Sequence, residues 1–75
     1  MNEIEFTLIG DYVDLNQLLK LTGVCQSGGA GKLRVVAGEV SVDGQVELRK
    51  TCKIRAGQMV RVDDLRIRVV NQGAV

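Results

Sequence analysis

The sequence of 75 residues predicts a small α+β domain in which two short helices pack on a small antiparallel sheet. Two observations lead to this fold class. Apolar residues recur at helical spacing within residues 15–37, whereas the segments on either side alternate between apolar and polar residues, as half-buried strands do. No proline, repeat or linker interrupts the chain, so residues 1–75 are expected to form one domain near the lower size limit for independent folding.

The N-terminal segment predicts a strand followed by a helix. The apolar positions of the strand are Ile4, Phe6 and Leu8. The helix is predicted over residues 15–22, because three leucines fall on one of its faces: Leu15, Leu18 and Leu19. Asp14 is expected to cap its N-terminus, with Gln17 three residues later as in a capping box, and Gly23 is expected to end it.

A second helix is predicted over about residues 28–37, between an N-cap at Ser27 and a terminating Gly38. The residues expected on its buried face recur at helical spacing and are Ala30, Leu33, Val36 and Ala37. Its first turn is rich in glycine, and each glycine costs roughly 1 kcal/mol relative to alanine. We therefore expect packing against the first helix to stabilise it.

The remaining chain predicts strands. Asp43-Gly44 is a strong hairpin signal between two alternating segments, whose apolar residues are Val40, Val42, Val46 and Leu48. A basic run leads to a turn at residues 56–58. Two further strands are predicted from Val60, Val62, Leu65, Ile67, Val69 and Val70. The tail, residues 71–75, is expected to be frayed.

The segment Ser-Gly-Gly-Ala-Gly-Lys at residues 27–32 suggests a phosphate-binding loop, but it does not fit the nucleotide-binding P-loop. That motif requires a glycine five residues before Gly31, where this chain has Gln26. It also requires Ser or Thr after Lys32, to hold magnesium, and the residue there is Leu33. The segment follows a predicted helix rather than a strand, so we reject a P-loop.

Composition argues against catalysis and metal binding. The chain has no histidine, and its two cysteines, Cys25 and Cys52, are expected to be free thiols. No signal peptide and no membrane-spanning apolar run is recognised, so we expect a cytoplasmic protein that is not an enzyme. The net charge is only +1, yet residues 15–38 hold three bases and residues 48–62 hold five, with no acid in either segment. This segregation predicts a basic face.

The order of these features resembles the S4 RNA-binding domain, and within it the small stand-alone bacterial YbcJ-like members. The resemblance covers about residues 13–62 and includes the leucine stripe, the Ser-Gly-Gly start of the second helix, the G-E-V-S-V-D-G hairpin at residues 38–44 and the A-G-Q turn. Two positions depart from the family. Asp14 stands where a base is common, and Gly31 stands where alanine is common, which is expected to loosen the second helix.

The resemblance implies an S4-like (αL motif) fold and binding of structured RNA, with ribosomal or transfer RNA as candidates, through the helices, the loop between them and the hairpin. It implies no cofactor, no small-molecule substrate and no membrane partner. The candidate RNA contacts are Lys20, Gln26, Ser27, Gly28, Gly29, Lys32, Arg34, Arg49, Lys50, Lys53 and Arg55.

The glycines at the start of the second helix have two physical interpretations. Amides of Gly28 and Gly29, at the positive end of a helix, suit a phosphate oxygen, and Lys32 adds a charge one turn later. Alternatively, Ser27 only caps the helix and the glycines only allow a tight turn. The local sequence favours this second interpretation, and the family resemblance favours the first. The chain has two aromatic residues, which argues for phosphate contacts rather than base stacking.

Two other functions remain open from the sequence. The basic face could bind an acidic protein, which would make the chain an interaction adaptor. A small sulfur-carrier-like protein is a weaker alternative, because such carriers end in Gly-Gly and this chain ends Asn-Gln-Gly-Ala-Val.

Overall fold

The computed structural model describes residues 2–71, in which two helices and seven strands form an α+β domain, so the predicted fold class is confirmed. In chain order the elements are β1 (Asn2–Leu8), β2 (Val13–Asp14), α1 (Leu15–Leu21), α2 (Gly28–Val36), β3 (Val40–Val42), β4 (Gln45–Val46), β5 (Lys53–Ile54), β6 (Met59–Val62) and β7 (Leu65–Asn71). Both helices lie within one residue of their predicted bounds. The tail was expected to be frayed over residues 71–75, but Asn71 is the last residue of β7, and residues 72–75 lie outside the described residues. Neither helix of residues 2–71 is long and apolar enough to cross a membrane.

The main sheet has five strands in the order β1-β7-β6-β3-β4. It is mixed rather than wholly antiparallel as expected, because β1 pairs in parallel with β7, with Ile4 opposite Ile67 and Phe6 opposite Val69. Strands joined by hairpins must be antiparallel, but β1 and β7 are separated by the rest of the domain and are free to pair in parallel. A separate two-residue ladder joins β2 to β5, with Asp14 opposite Lys53.

The hydrophobic core lies between the helices and the inner face of the sheet. Its fully buried side chains are Leu15, Leu18, Leu19, Val35, Val40, Ile54, Val60, Val62, Ile67 and Val69. The leucine stripe of α1 is therefore buried as predicted. The alternation in β6 and β7 is confirmed too, since exposed Arg61 and Arg68 separate buried residues.

The buried face of α2 differs from the predicted one. Leu33 is 74% exposed and Val36 is 53% exposed, whereas Gly31 and Val35 are buried. A Cβ atom on Gly31 would lie 2.7 Å from the backbone oxygen of Asn16. The two helices thus touch at a glycine, and that contact decides which face of α2 turns inward. The absence of a side chain at Gly31 permits this helix–helix contact, so the glycine that departs from the family pattern has a packing role.

The helix ends confirm one predicted cap and correct another. Ser27 caps α2, since its Oγ accepts a hydrogen bond from the Ala30 amide at 3.1 Å. Asp14 precedes α1 but makes no side-chain capping bond. The amides of Leu15 and Asn16 instead donate to the carbonyls of Cys52, at 2.9 Å, and Lys50, at 3.1 Å. A distant segment therefore performs the capping that the sequence pattern assigned to Asp14.

Candidate nucleic-acid interface

A cationic concavity lies where the turn before β5 approaches the first half of α2. It has a volume of about 570 Å³, and its lining residues are Lys32, Arg49, Lys50, Thr51, Cys52 and Lys53. We call it the basic concavity. The sequence predicted each of its four cations as a contact residue, and the fold brings them together although Lys32 and Arg49 are 17 positions apart.

Backbone hydrogen bonds hold the turn that carries three of these cations. The carbonyls of Lys50 and Cys52 accept hydrogen bonds from the first amides of α1. The Lys53 backbone continues into the ladder with Asp14. Because the carbonyl oxygens point to the helix terminus, whose partial charge is positive, the backbone is anchored while the side chains of Lys50 and Lys53 stay exposed.

The N-terminus of α2 provides polar groups in the same half of the helix as Lys32. The amides of Gly28 and Gly29 belong to the first turn, whose N–H groups have no acceptor within the helix. Gly29 is exposed, whereas Gly28 packs against α1. A Cβ atom on Gly28 would lie 3.0 Å from the side-chain nitrogen of Gln17 and 3.3 Å from that of Asn16. Gly28 therefore packs closely against side chains of α1, and Gly29 is the more exposed of the two glycines.

The cations of the concavity differ in their pairing. Among the described residues, no carboxylate oxygen lies within 4 Å of the ammonium of Lys32, Lys50 or Lys53. Arg49 instead makes a double interaction with Glu47, at 2.9 Å from its Nε and 3.0 Å from its Nη2. Hydrogen bonds from the Arg49 side chain and amide lower the pKa of Glu47 to about 2. The three lysines are thus the more available partners for an anion.

Cys52 lies in the concavity but lacks the character of a nucleophile. Its Sγ accepts a weak hydrogen bond from Arg49 at 3.7 Å. Burial, followed by the nearby Glu47 carboxylate, raises the pKa of the thiol. Because the thiolate is the reactive form, the raised pKa keeps the group neutral and unreactive near neutral pH. Cys25 is a free thiol in the core, and Cys52 is also free.

The remaining predicted contacts lie outside the concavity. Lys20 and Gln26 are exposed and remain predictions. The guanidinium of Arg34 is ion-paired with Glu39 and with Asp63, the latter at 2.8 Å, and the hydrogen bond to Asp63 raises its pKa. Arg34 therefore links α2 to the loops after it, and its guanidinium is already occupied by two carboxylates.

Arg55 lies beside an aromatic residue, Tyr12, that is not among the RNA contacts predicted from the sequence. Its Nη1 donates a hydrogen bond to the carbonyl of Asp11 at 3.5 Å, and its guanidinium lies 5.8 Å from the centre of the Tyr12 ring. The ammonium of Lys53 lies 4.9 Å from the same ring. Tyr12 is 43% exposed. In the sequence, Tyr12 is the one tyrosine and lies two residues before Asp14, which precedes α1.

Known proteins match this chain over most of its length. The family model for the S4 domain matches residues 6–70. YbcJ of Escherichia coli (strain K12) and YbcJ of Shigella flexneri are each 48% identical over 59 residues, which are 79% of this chain and 84% of theirs.

A solved structure agrees with the fold. The solution structure of YbcJ from E. coli has a TM-score of 0.71 and 44% identity, and the match covers 93% of this chain and 90% of that one. That structure is described as revealing an αL motif involved in RNA binding. The sequence and structural matches agree, and the chain belongs to the S4 domain family.

Proposed function

We propose that this protein is a non-catalytic module that binds structured RNA through phosphate contacts in the basic concavity. The observation that carries the proposal is the convergence of three lysines that have no carboxylate partner among the described residues: Lys32 of α2, Lys50 of the turn before β5 and Lys53 at the start of β5. Lysines without carboxylate partners can each neutralise a phosphate and release a counterion. The description of E. coli YbcJ as having an RNA-binding motif supports the same function.

The polar groups at the start of α2 extend this phosphate surface. The exposed amide of Gly29 lies at the positive end of the helix, where an anionic oxygen is stabilised. Ser27 fixes that end by accepting the Ala30 amide. A phosphate bound there would lie about one helical turn from Lys32, which can bind the next phosphate along the RNA backbone.

Contacts to phosphates read the path of the backbone rather than the base sequence. A fixed set of lysines and amides therefore selects RNAs whose folded shape places phosphates at matching positions. Ribosomal and transfer RNAs have such fixed shapes and are our candidates. Ribosomal and transfer RNAs act in the cytoplasm, and we expect the protein to act there.

One observation favours the alternative of a protein-interaction adaptor. Four large apolar side chains are exposed on α2 and the hairpin: Leu33, Val36, Val46 and Leu48. Leu48 and Val46 lie within about 4 Å of the position that a Cβ atom on Gly38 would take, just beyond the end of α2. An acidic protein could use both this apolar surface and the neighbouring basic concavity.

A salt titration of binding to one folded RNA, such as a transfer RNA transcript, separates these functions. The test variant replaces Lys32, Lys50 and Lys53 by alanine. The matched control replaces Arg61, Arg66 and Arg68, which removes the same charge from the outer face of the sheet. We expect the slope of log K against log salt to fall by about 2 to 3 in the test variant, since each phosphate contact contributes about 0.7–0.9. We expect little change in the control.

Circular dichroism of both variants checks that they are folded. Adding Arg49→Ala to the test variant is expected to lower the slope further, but by less than a lysine does, because Arg49 is already paired with Glu47. Equal slopes for wild type and test variant would show that the concavity does not contact RNA. The adaptor function would then be the better explanation of the basic face.

A further inference from the structure

We propose that Tyr12 is a base-stacking residue that holds one unpaired nucleotide of the bound RNA, next to the phosphate contacts of the basic concavity. The proposal deepens the proposed function and rests on it. It specifies the class of RNA as a folded RNA with an unpaired nucleotide beside a helical segment. The relevant groups are the Tyr12 ring, the cations of Lys53 and Arg55, and an apolar hollow beside the ring.

The position of Tyr12 follows from the short ladder between β2 and β5. Val13 lies opposite Ile54 in this antiparallel pair, so Tyr12 is placed beside the residues that flank Ile54. The flanking residues are Lys53 and Arg55, and both cations lie over the ring. The ring is partly exposed and is not among the side chains of the core cluster. The structure therefore holds an aromatic surface at a fixed place without using it for packing in the core.

Lys53 connects this aromatic surface to the proposed phosphate site. Its side chain lines the basic concavity, and its ammonium is 4.9 Å from the ring centre. A nucleotide whose phosphate is neutralised by Lys53 has its base within reach of Tyr12. Arg55 is steadied by the Asp11 carbonyl and adds a second cation on the same side of the domain. Aromatic rings and guanidinium planes are the groups on which proteins stack unpaired bases.

An apolar hollow of about 340 Å³ adjoins the ring. Its lining residues are Phe6, Thr7, Leu8, Ile9, Tyr12, Val13 and Leu21. Ile9 and Leu21 are exposed, and none of the described residues that line the hollow is charged. It therefore suits the flat apolar faces of a base rather than a phosphate. The cations of Lys53 and Arg55 over the Tyr12 ring match the phosphates that flank an unpaired nucleotide, which favours RNA over an apolar peptide as the occupant.

The experiment uses the whole chain and two RNA hairpins that are identical except for one unpaired nucleotide in the stem. The unpaired position carries 2-aminopurine, a fluorescent base whose emission changes when it stacks. We expect the wild type to bind the bulged hairpin more tightly than the paired one and to change the 2-aminopurine emission. Tyr12→Leu keeps an apolar side chain but loses the ring. It should weaken binding to the bulged hairpin roughly 5- to 100-fold and leave binding to the paired hairpin unchanged.

A conservative variant separates stacking from folding. Tyr12→Phe retains the ring and should behave as the wild type does with both hairpins. The salt slope should be the same in all three proteins, since none of the changes alters charge. If Tyr12→Leu does not fold, unchanged 2-aminopurine emission and equal affinity for the two hairpins in wild type and Tyr12→Phe would still overturn the stacking role.

The outcomes distinguish this proposal from the proposed function. Binding of both hairpins with equal affinity and no change in emission would overturn the role of Tyr12 while leaving RNA binding in place. Equal weakening of both hairpins by Tyr12→Leu would mean that the ring supports the fold, and would also overturn it. Failure of the wild type to bind either hairpin would overturn RNA binding itself, and the stacking role with it.

Discussion

The basic concavity and the outer face of the sheet both carry clustered cations, but they differ in how those cations are paired. On the sheet, Glu3 of β1 lies between two arginines of β7 and binds Arg68 at 2.7 Å and Arg66 at 3.9 Å. In the concavity, Lys32, Lys50 and Lys53 have no carboxylate within 4 Å among the described residues. The cross-strand pairs of the sheet join neighbouring strands, whereas the lysines remain available to a ligand.

The number of charged residues therefore does not locate an RNA interface. A net charge of +1 hides both groups, and a paired arginine must give up its carboxylate before it can bind a phosphate. Arg34 and Arg49 illustrate the point within the predicted contact set, because intramolecular carboxylates already engage both. Unpaired cations that converge from separate segments are the more useful signal of an anionic ligand.

The basic concavity depends on α1, because the first amides of this helix donate hydrogen bonds to the turn that carries Lys50. Leu18 of α1 is fully buried, so Leu18→Ala should lower the free energy of unfolding by about 2–5 kcal/mol. Leu33→Ala is a matched control on α2, since Leu33 is mostly exposed, and should change stability by about 0.5 kcal/mol or less. Urea denaturation measures both. Equal costs would mean that the burial of α1 is not what holds the domain together.

The contact between the helices provides the next largest effect. Gly31→Ala places a methyl group against the Asn16 backbone and should destabilise the protein by about 1–3 kcal/mol, despite the better helix propensity of alanine. It should also weaken RNA binding, since Lys32 is carried by the same helix. At Gly29 a Cβ atom would meet only Ser27 Oγ, at 3.8 Å, so Gly29→Ala should be neutral or stabilising by up to about 1 kcal/mol. A stabilising Gly31→Ala would refute the close helix contact.

Substitution of Ser27 tests whether this residue caps α2 or contributes to the electrostatic binding of RNA. Ser27→Ala removes the hydrogen bond to the Ala30 amide and should cost about 1 kcal/mol of stability. The salt slope of RNA binding should stay the same, because no charge is lost. Ser27→Asn retains a capping oxygen and should restore stability. A slope that falls by nearly one unit in Ser27→Ala would contradict this division of roles.

The smallest predicted effect comes from a substitution that frees Arg49, the paired cation of the basic concavity, to bind RNA. Glu47→Gln removes the carboxylate that binds Arg49 and should raise the salt slope by at most about 0.7–0.9, with a corresponding gain in RNA affinity at low salt. Glu5→Gln changes the net charge equally on exposed β1 and serves as the control. A loss of affinity in Glu47→Gln would show that Arg49 must be held by Glu47 in order to bind.

The same pair predicts a dependence of stability on pH. Arg49 holds the pKa of Glu47 at about 2, below its usual value of 4.5. The pair therefore contributes stability above about pH 4.5, and this contribution is lost as the pH falls through about 2. Denaturation of wild type and Glu47→Gln should give a constant difference from pH 7 to about 4.5, and the difference should vanish near pH 2. A difference that disappears already above pH 5 would exclude the depressed pKa.

Features that depend on neighbouring residues could be predicted from the amino-acid sequence. The α+β order, the bounds of both helices, the Ser27 cap and the hairpin at Asp43-Gly44 could all be predicted, because each arises from short-range hydrogen bonding and periodicity. The resemblance to the S4 domain was visible for the same reason, since it consists of local motifs at a characteristic spacing. The four cations that line the basic concavity were also predicted from the sequence as RNA contacts.

Features that depend on residues far apart in the chain became visible in the folded domain. The fold turned the Gly31 face of α2 inward, replaced the Asp14 cap by carbonyls of Lys50 and Cys52, and paired β1 in parallel with β7. It also separated available lysines from paired arginines. The periodicity of apolar residues identifies the more hydrophobic face of a helix. How closely two helices approach depends also on the backbone of the opposing helix. Whether a cation is available depends likewise on carboxylates that the fold brings near it, such as Asp63 beside Arg34, 29 residues away.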